Sequence, residues 1–262
     1  RGVLRFAVLA PDNDYGATVV ESLRRTAGSA GAALTRIELY DPEAADFSDV
    51  VRRLANYAQR RQSLLSQREE LKSRGGEIAK SALRRLAKLQ TIGDLPFDAL
   101  LLADGGSRLQ AIAALLPFYD IDPAKVHILG TGQWDEPGIG SEPALIGGWF
   151  AAPPPPSRAE FESQYRQVYG KKPPRLSTLA YDATALAATL ARTKQANAKE
   201  AIVRDIFTEQ ALTAPSGYLG RDGIFRFRPD GVAERGLAVL KVEPKGFKTI
   251  DQAPQAFGPV MY

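Results

Sequence analysis

Short apolar runs alternate along the chain with longer stretches in which apolar residues recur every three to four positions. LRFAVLA, residues 4–10, predicts a buried β-strand bounded by Pro11 and a polar turn. Val19, Val20, Leu23 and Ala27 then mark one face of a helix that stops near residues 28–31. ALTRIELY predicts a second strand. FDALLLA, residues 97–103, predicts a third, too apolar for an exposed edge and typical of a parallel sheet covered on both faces. A helix over 108–116, a strand over 126–129, a loop and a strand over 145–150 continue the alternation. Repeated βα steps imply an α/β fold with a doubly wound parallel sheet and right-handed crossovers.

Two regions depart from that rhythm. Between the second and third strands, Phe47, Val50, Val51, Leu54, Tyr57, Leu64, Leu65 and Leu71 keep helical spacing. Gly75-Gly76 breaks it, and Ile78, Ala82, Leu86 and Leu89 resume it. This predicts a helical-hairpin insertion over residues 52–92. Its first arm is expected to run about 25 residues, or nearly 40 Å at roughly 1.5 Å per residue. The second half of the chain differs. Residues 153–156 are all proline and read as a stiff crossing segment. Helices are expected over 158–169, 177–193 and 198–210, followed by a β-hairpin turning at Pro229-Asp230-Gly231. Residues 244–262, rich in Pro, Gly and Gln, are expected to wrap the surface.

Composition narrows the chemistry. The 262 residues suffice for one large or two smaller domains, and no apolar run approaches the ~18 residues of a membrane span. Cysteine is absent, which removes disulfides, thiolate metal sites and cysteine nucleophiles. The one histidine, His127, lies in KVHILG and reads as a strand residue at the edge of a core. Together these remove most hydrolase and zinc chemistry, and no catalytic, metal or cofactor site is expected. The net charge of +4 conceals an asymmetry. Residues 52–88 hold eleven Lys/Arg against three Glu, a balance of +8, leaving 23 basic and 27 acidic residues elsewhere, or −4. The basicity belongs to the insertion. Lacking interleaved aromatics and Gly-rich loops, it does not read as a nucleic-acid surface. It reads as a solvated face or a docking surface, with Arg60, Arg61, Arg84 and Arg85 the candidate contacts.

The first βα turn, APDNDYG, carries neither GxGxxG nor GxxxxGK, and Asp12 and Asp14 at the helix start would repel phosphate. DNDYG opens like a calcium loop, but the match fails at Gly16 and Leu23. The two aspartates read as helix caps. SxxK, the acylation motif of penicillin-binding enzymes, is also missing. In open α/β sheets ligands sit at the carboxyl ends of the strands. Those ends carry Asp12 to Tyr15, Asp104-Gly105-Gly106-Ser107, and Thr131-Gly132-Gln133-Trp134-Asp135. The set suits a small polar organic ligand with Tyr15 or Trp134 stacking on it. Equally, it fits three loops with helix caps and a packing Trp.

In order along the chain, FAVLAPDNDYG, DPEAADFSDVV, FDALLLADGG, ILGTGQW, GGWFAAP, FESQYRQVYGKKPP and LAYDATALAATLA resemble the second lobe of type I periplasmic solute-binding proteins of the Leu/Ile/Val-binding class. The insertion, with LLPFYDIDPAKVHILGTGQWDEP, is similar to LppC/LpoA-like lipoproteins, described as activators of penicillin-binding proteins. The resemblance implies that residues 1–172 with 232–262 form the second lobe and that 173–231 are a returning segment of the first. Most of that first lobe is expected to precede Arg1. It implies ligand contacts at Tyr15, Asp104, Gly105, Gln133, Trp134 and Asp135. It further implies a periplasmic, non-enzymatic protein tethered to the outer membrane by an N-terminal lipid. The expected partner is a penicillin-binding protein acting as peptidoglycan synthase. The alternative is the permease of an ABC transporter for branched-chain or other amino acids.

Overall fold

The computed structural model describes residues 2–195 and 207–257, so the helix expected over 198–210 falls largely outside the described residues. The first part of the chain forms β1 (Arg5–Pro11), α1 (Asp14–Ser29), β2 (Ala33–Tyr40), α2 (Ser48–Leu54), α3 (Tyr57–Arg74), α4 (Gly76–Leu86), β3 (Ala99–Leu102), α5 (Gly106–Phe118), β4 (His127–Gly130) and β5 (Trp149–Ala152). The rest forms α6 (Pro155–Tyr169), α7 (Ser177–Gln195), α8 (Glu209–Leu212), β6 (Tyr218–Gly220), β7 (Gly223–Phe227), β8 (Ala233–Arg235), β9 (Ala238–Glu243) and β10 (Gly246–Asp251). The chain divides into two compact units, residues 1–150 with 241–248, and 151–240 with 249–262.

The first unit is built on a seven-stranded sheet of order β10-β9-β5-β4-β3-β1-β2. The pairs β1–β2, β1–β3, β3–β4 and β4–β5 are parallel, the mixed α/β architecture that the alternating pattern implies. β1 and β3 are covered on both faces: Ala7, Val8, Leu9 and Ala10, and Leu100 and Leu102, are all buried. α5 follows from spacing, because Leu109, Ile112, Ala113 and Leu116 fall on one face and are buried. His127 opens β4 and is exposed, in keeping with an edge-of-core strand residue.

Three expectations are corrected. The single 25-residue arm does not form, because Asn56 adopts a left-handed backbone (φ 48°) that ends the helix begun at Ser48. α2 stays with the crossover, where Arg53 Nε donates to Glu38 Oε2 of β2 at 3.0 Å. Only α3 and α4 make the hairpin, turning at Gly75 (φ 63°) and Gly76 (φ 84°). The strand expected over 145–150 starts instead at Trp149. Pro143–Leu145 forms a tight turn, and Gly147 (φ 88°) keeps the chain turning before the strand begins. The expected surface wrap contains β10, an edge strand whose Phe247 ring packs on Phe150 at 5.0 Å between centroids. Its Phe247 and Thr249 alternate with exposed neighbours, a period-two signal short enough to be lost among the flanking Pro and Gly.

The second unit carries α6, α7 and a three-stranded sheet of order β6-β7-β8. The turn at Pro229-Asp230-Gly231 forms as its residues predict. Gly231 takes φ 80° and the Arg228 amide donates to Val232 O at 3.0 Å. α6 opens on prolines, whose missing N–H and fixed φ suit a first helical turn.

Candidate functional site

The strand tips of the first unit converge because each βα turn is tight. Asn13, and neither flanking aspartate, caps α1: its Oδ1 accepts from the Gly16 amide at 3.0 Å. Gly16 is required there, since a Cβ at that position would lie 1.9 Å from Pro11 O. The Asp12 amide donates to Tyr40 O at 2.7 Å and ties this turn to the end of β2. The result aims Tyr15, part-buried, across the tip of β3 toward the loop after β4. There its hydroxyl and Thr131 Oγ1 share a hydrogen bond of 2.8 Å. Burial raises the Tyr15 phenol above its ordinary value, so the hydroxyl stays protonated and available as a donor.

A second cluster stands on the adjacent tip. Asp104, 4% exposed, is held on every side. Its Oδ1 accepts from the Gly105 amide at 2.7 Å and from Arg108 Nη2 at 3.3 Å. Its Oδ2 accepts from Arg108 Nε at 2.9 Å and from the Tyr40 hydroxyl. Burial, and then the bond to this carboxylate, raise the Tyr40 phenol far above its ordinary value. Asp104 is therefore a fully bonded carboxylate paired with Arg108, an arrangement that runs against the expectation that it contacts ligand directly. The group it orients is Arg108, whose side chain is 46% exposed.

Gly105 and Gln133 lie against one another: a Cβ at Gly105 would meet Gln133 Cβ at 3.2 Å and Oε1 at 3.3 Å. Gln133 is exposed and Asp135 part-buried on the same loop. Trp134 is turned the other way. It is fully buried, its ring packed against Gly130, Gly148 and Phe150. The indole supports the loop from beneath and offers no face for stacking. Sequence reasoning placed Thr131 at a strand end without giving it a contact, and missed Tyr40 and Arg108. Tyr40 ends a strand and Arg108 lies one helical turn beyond Asp104, so spacing alone could have nominated both.

The basic insertion divides into two sets. Arg60, Arg61 and Arg68 point into the hairpin seam. Arg60 Nη2 pairs with Asp120 Oδ2 at 2.9 Å while its Nε donates to Gly93 O at 3.1 Å. Arg61 Nη1 donates to Gln90 O at 2.7 Å, and Arg68 Nη2 to Leu86 O at 2.5 Å and Leu89 O at 3.2 Å. The expectation of Arg60 and Arg61 as docking contacts is corrected: they hold down the carbonyls that follow α4. Arg84 and Arg85 remain exposed.

The unit is parallel α/β, and its hydroxyl, amide and guanidinium groups gather at the strand tips, where open α/β sheets place their ligands. The sequence profile of the family described as periplasmic binding protein matches residues 1–248, and the chain belongs to that family, in its type I, Leu/Ile/Val-binding-like form. The family is periplasmic. None of the curated proteins searched matches the chain. Among solved structures, it resembles a Rhodospirillum rubrum protein assigned to a branched-chain amino acid ABC transporter (TM-score 0.65, 20% identity, 95% of this chain and 61% of the other). It also resembles an ABC transporter substrate-binding protein from Sphaerobacter thermophilus (0.62, 15%, 96% and 60%). A leucine binding protein from Thermotoga maritima is a third (0.56, 17%, 98% and 61%). At these identities the likeness is one of fold, and the chain spans about three fifths of the length of those structures.

Proposed function

We propose that the protein is a solute receptor that hands an amino acid or similar small polar molecule to the permease of an ABC transporter. The observation that carries this reading is the assembled strand-tip surface: Tyr15 joined to Thr131, with Arg108 steered by Asp104 and Tyr40. These groups are held by protein partners before any ligand arrives, which lowers the ordering cost of binding. Gly105 and Gln133 lie against one another on the neighbouring loops. Thermal melts with a panel of amino acids test it. A ligand at 100 times its Kd should stabilise the protein by about 2.7 kcal/mol. Tyr15→Ala should remove that shift at equal ligand concentration. A flat response across amino acids and their analogues overturns the reading.

The α3–α4 hairpin supports a second reading, in which the protein docks on a penicillin-binding protein and stimulates peptidoglycan synthesis from a lipid tether at the outer membrane. In that case the protein raises glycan polymerisation by the synthase. An unchanged rate with no detectable complex excludes it.

A further inference from the structure

We infer that the outward face of α4 is a docking surface for a protein that presents a cluster of carboxylates. The inference is independent of what the strand tips bind. It rests on how the hairpin distributes its charge. Lys72, Arg74 and Lys80 are each neutralised within one helical turn, by Glu69, Glu70 and Glu77 at 2.6, 2.6 and 2.7 Å. Arg60 is matched by Asp120 at 2.9 Å, and Arg61 and Arg68 are spent on backbone carbonyls. Arg84, Arg85 and Lys88 are exposed and have no carboxylate within 4.0 Å among the described residues. The exposed charge that has no carboxylate partner therefore gathers at one place in the hairpin, the last turn of α4 and the residues just after it.

The same face holds an apolar contact. Ile78 is 87% exposed and lies on one stripe with Ser81 and Arg85, at i, i+3 and i+7. The opposite face, Ala79, Ala82, Leu83 and Leu86, is at least part-buried. That orientation selects among anionic partners. A helix that inserts into a lipid headgroup region needs its apolar face free, and α4 has that face covered. An isolated Ile beside two arginines and a lysine, on a fixed helix, suits a protein surface with carboxylates around a small apolar depression.

The hairpin that carries this surface is tied together at its base. The hairpin springs from the end of the sheet where β3 begins. There Asp120, itself in a left-handed conformation (φ 63°), accepts from both Arg60 and Thr91 and fixes the two ends of the hairpin together.

A labelled poly-L-glutamate peptide serves as the acidic probe, with fluorescence anisotropy as the readout. The protein is expected to bind it near physiological ionic strength and to weaken steeply with added salt. The triple variant Arg84→Glu, Arg85→Glu, Lys88→Glu should lose at least tenfold in affinity. The double variant Lys72→Glu, Arg74→Glu, which removes cations already matched, should lose less than threefold. Both variants should melt within a few degrees of the parent, and Arg84→Gln, Arg85→Gln, Lys88→Gln provides the same test without charge reversal. Equal losses in the triple and double variants overturn the inference. So does no binding near 0.1 M salt, or tighter binding to phosphatidylglycerol vesicles than to the peptide.

Discussion

Gly130 and Trp134 set the limits of what the loop after β4 can do. A Cβ at Gly130 would lie 2.0 Å from the indole ring, so the glycine is there to let the ring lie flat against the strand end. The consequence is that the largest aromatic in the loop is a core residue, while Thr131, Gln133 and Asp135 keep their places above it. Gly130→Ala should therefore force the indole out of its seat and cost about 1–3 kcal/mol. Gly28 offers the contrast: it is exposed inside α1, with nothing within 4 Å of its Cβ position and no positive φ. Gly28→Ala should stabilise by about 0.5–1 kcal/mol. Urea midpoints at constant slope measure both, and a neutral Gly130→Ala would show that the loop is not supported by the indole.

The α3–α4 hairpin shows what periodicity can and cannot tell. Its existence was legible from the recurrence of Leu64, Leu71, Ala82 and Leu86 and from the Gly75-Gly76 break. Its first boundary was not, because Tyr57 continues the apolar spacing straight through Asn56, and a left-handed asparagine has no periodic signature. The parallel sheet was likewise legible from unbroken apolar runs, whereas β10 was hidden in a Pro- and Gly-rich tail. Of the strand-tip residues, Tyr15 was legible from its place after a strand. The roles of Asp104 and Trp134 were not, because burial and hydrogen-bond saturation depend on neighbours distant in sequence, such as Tyr40 and Gly148. The arginines divide the same way, since only the fold separates those that hold carbonyls from those that face water. Asp120→Asn tests the anchor directly: Asn tolerates the left-handed backbone but gives up the charge opposite Arg60. Amides over residues 57–92 should then exchange about tenfold faster, an opening that stays local to the hairpin, while those of β1 and β3 keep their protection. Unchanged hairpin exchange would assign the anchoring to the apolar seam alone.

Across the whole molecule, the two units answer acid through carboxylates of opposite character. In the first, Arg5 bonds Asp98 at 2.6 Å and holds its carboxyl below the usual range. That contribution is present above an ordinary carboxylate pKa of about 3.9 and is lost as pH falls through the lower folded value. In the second, burial pushes the Asp182 carboxyl up, although the Arg221 amide donates to its Oδ1 at 2.7 Å. Its Oδ2 has no hydrogen-bond partner and faces Arg235 Nη1 only at 3.9 Å. The sign is reversed here. Stability from this group is present below about pH 3.9 and is lost as pH rises through the raised folded value, so charging this carboxyl is a net cost to the fold. Asp182→Asn keeps the acceptor for the Arg221 amide and removes the charge. The variant is therefore expected to melt above the parent at pH 7, with the gap closing toward pH 4. Melting curves of both proteins between pH 4 and 8 decide it. A variant that melts below the parent at pH 7 would mean that Arg235 compensates the buried carboxylate fully across its 3.9 Å gap.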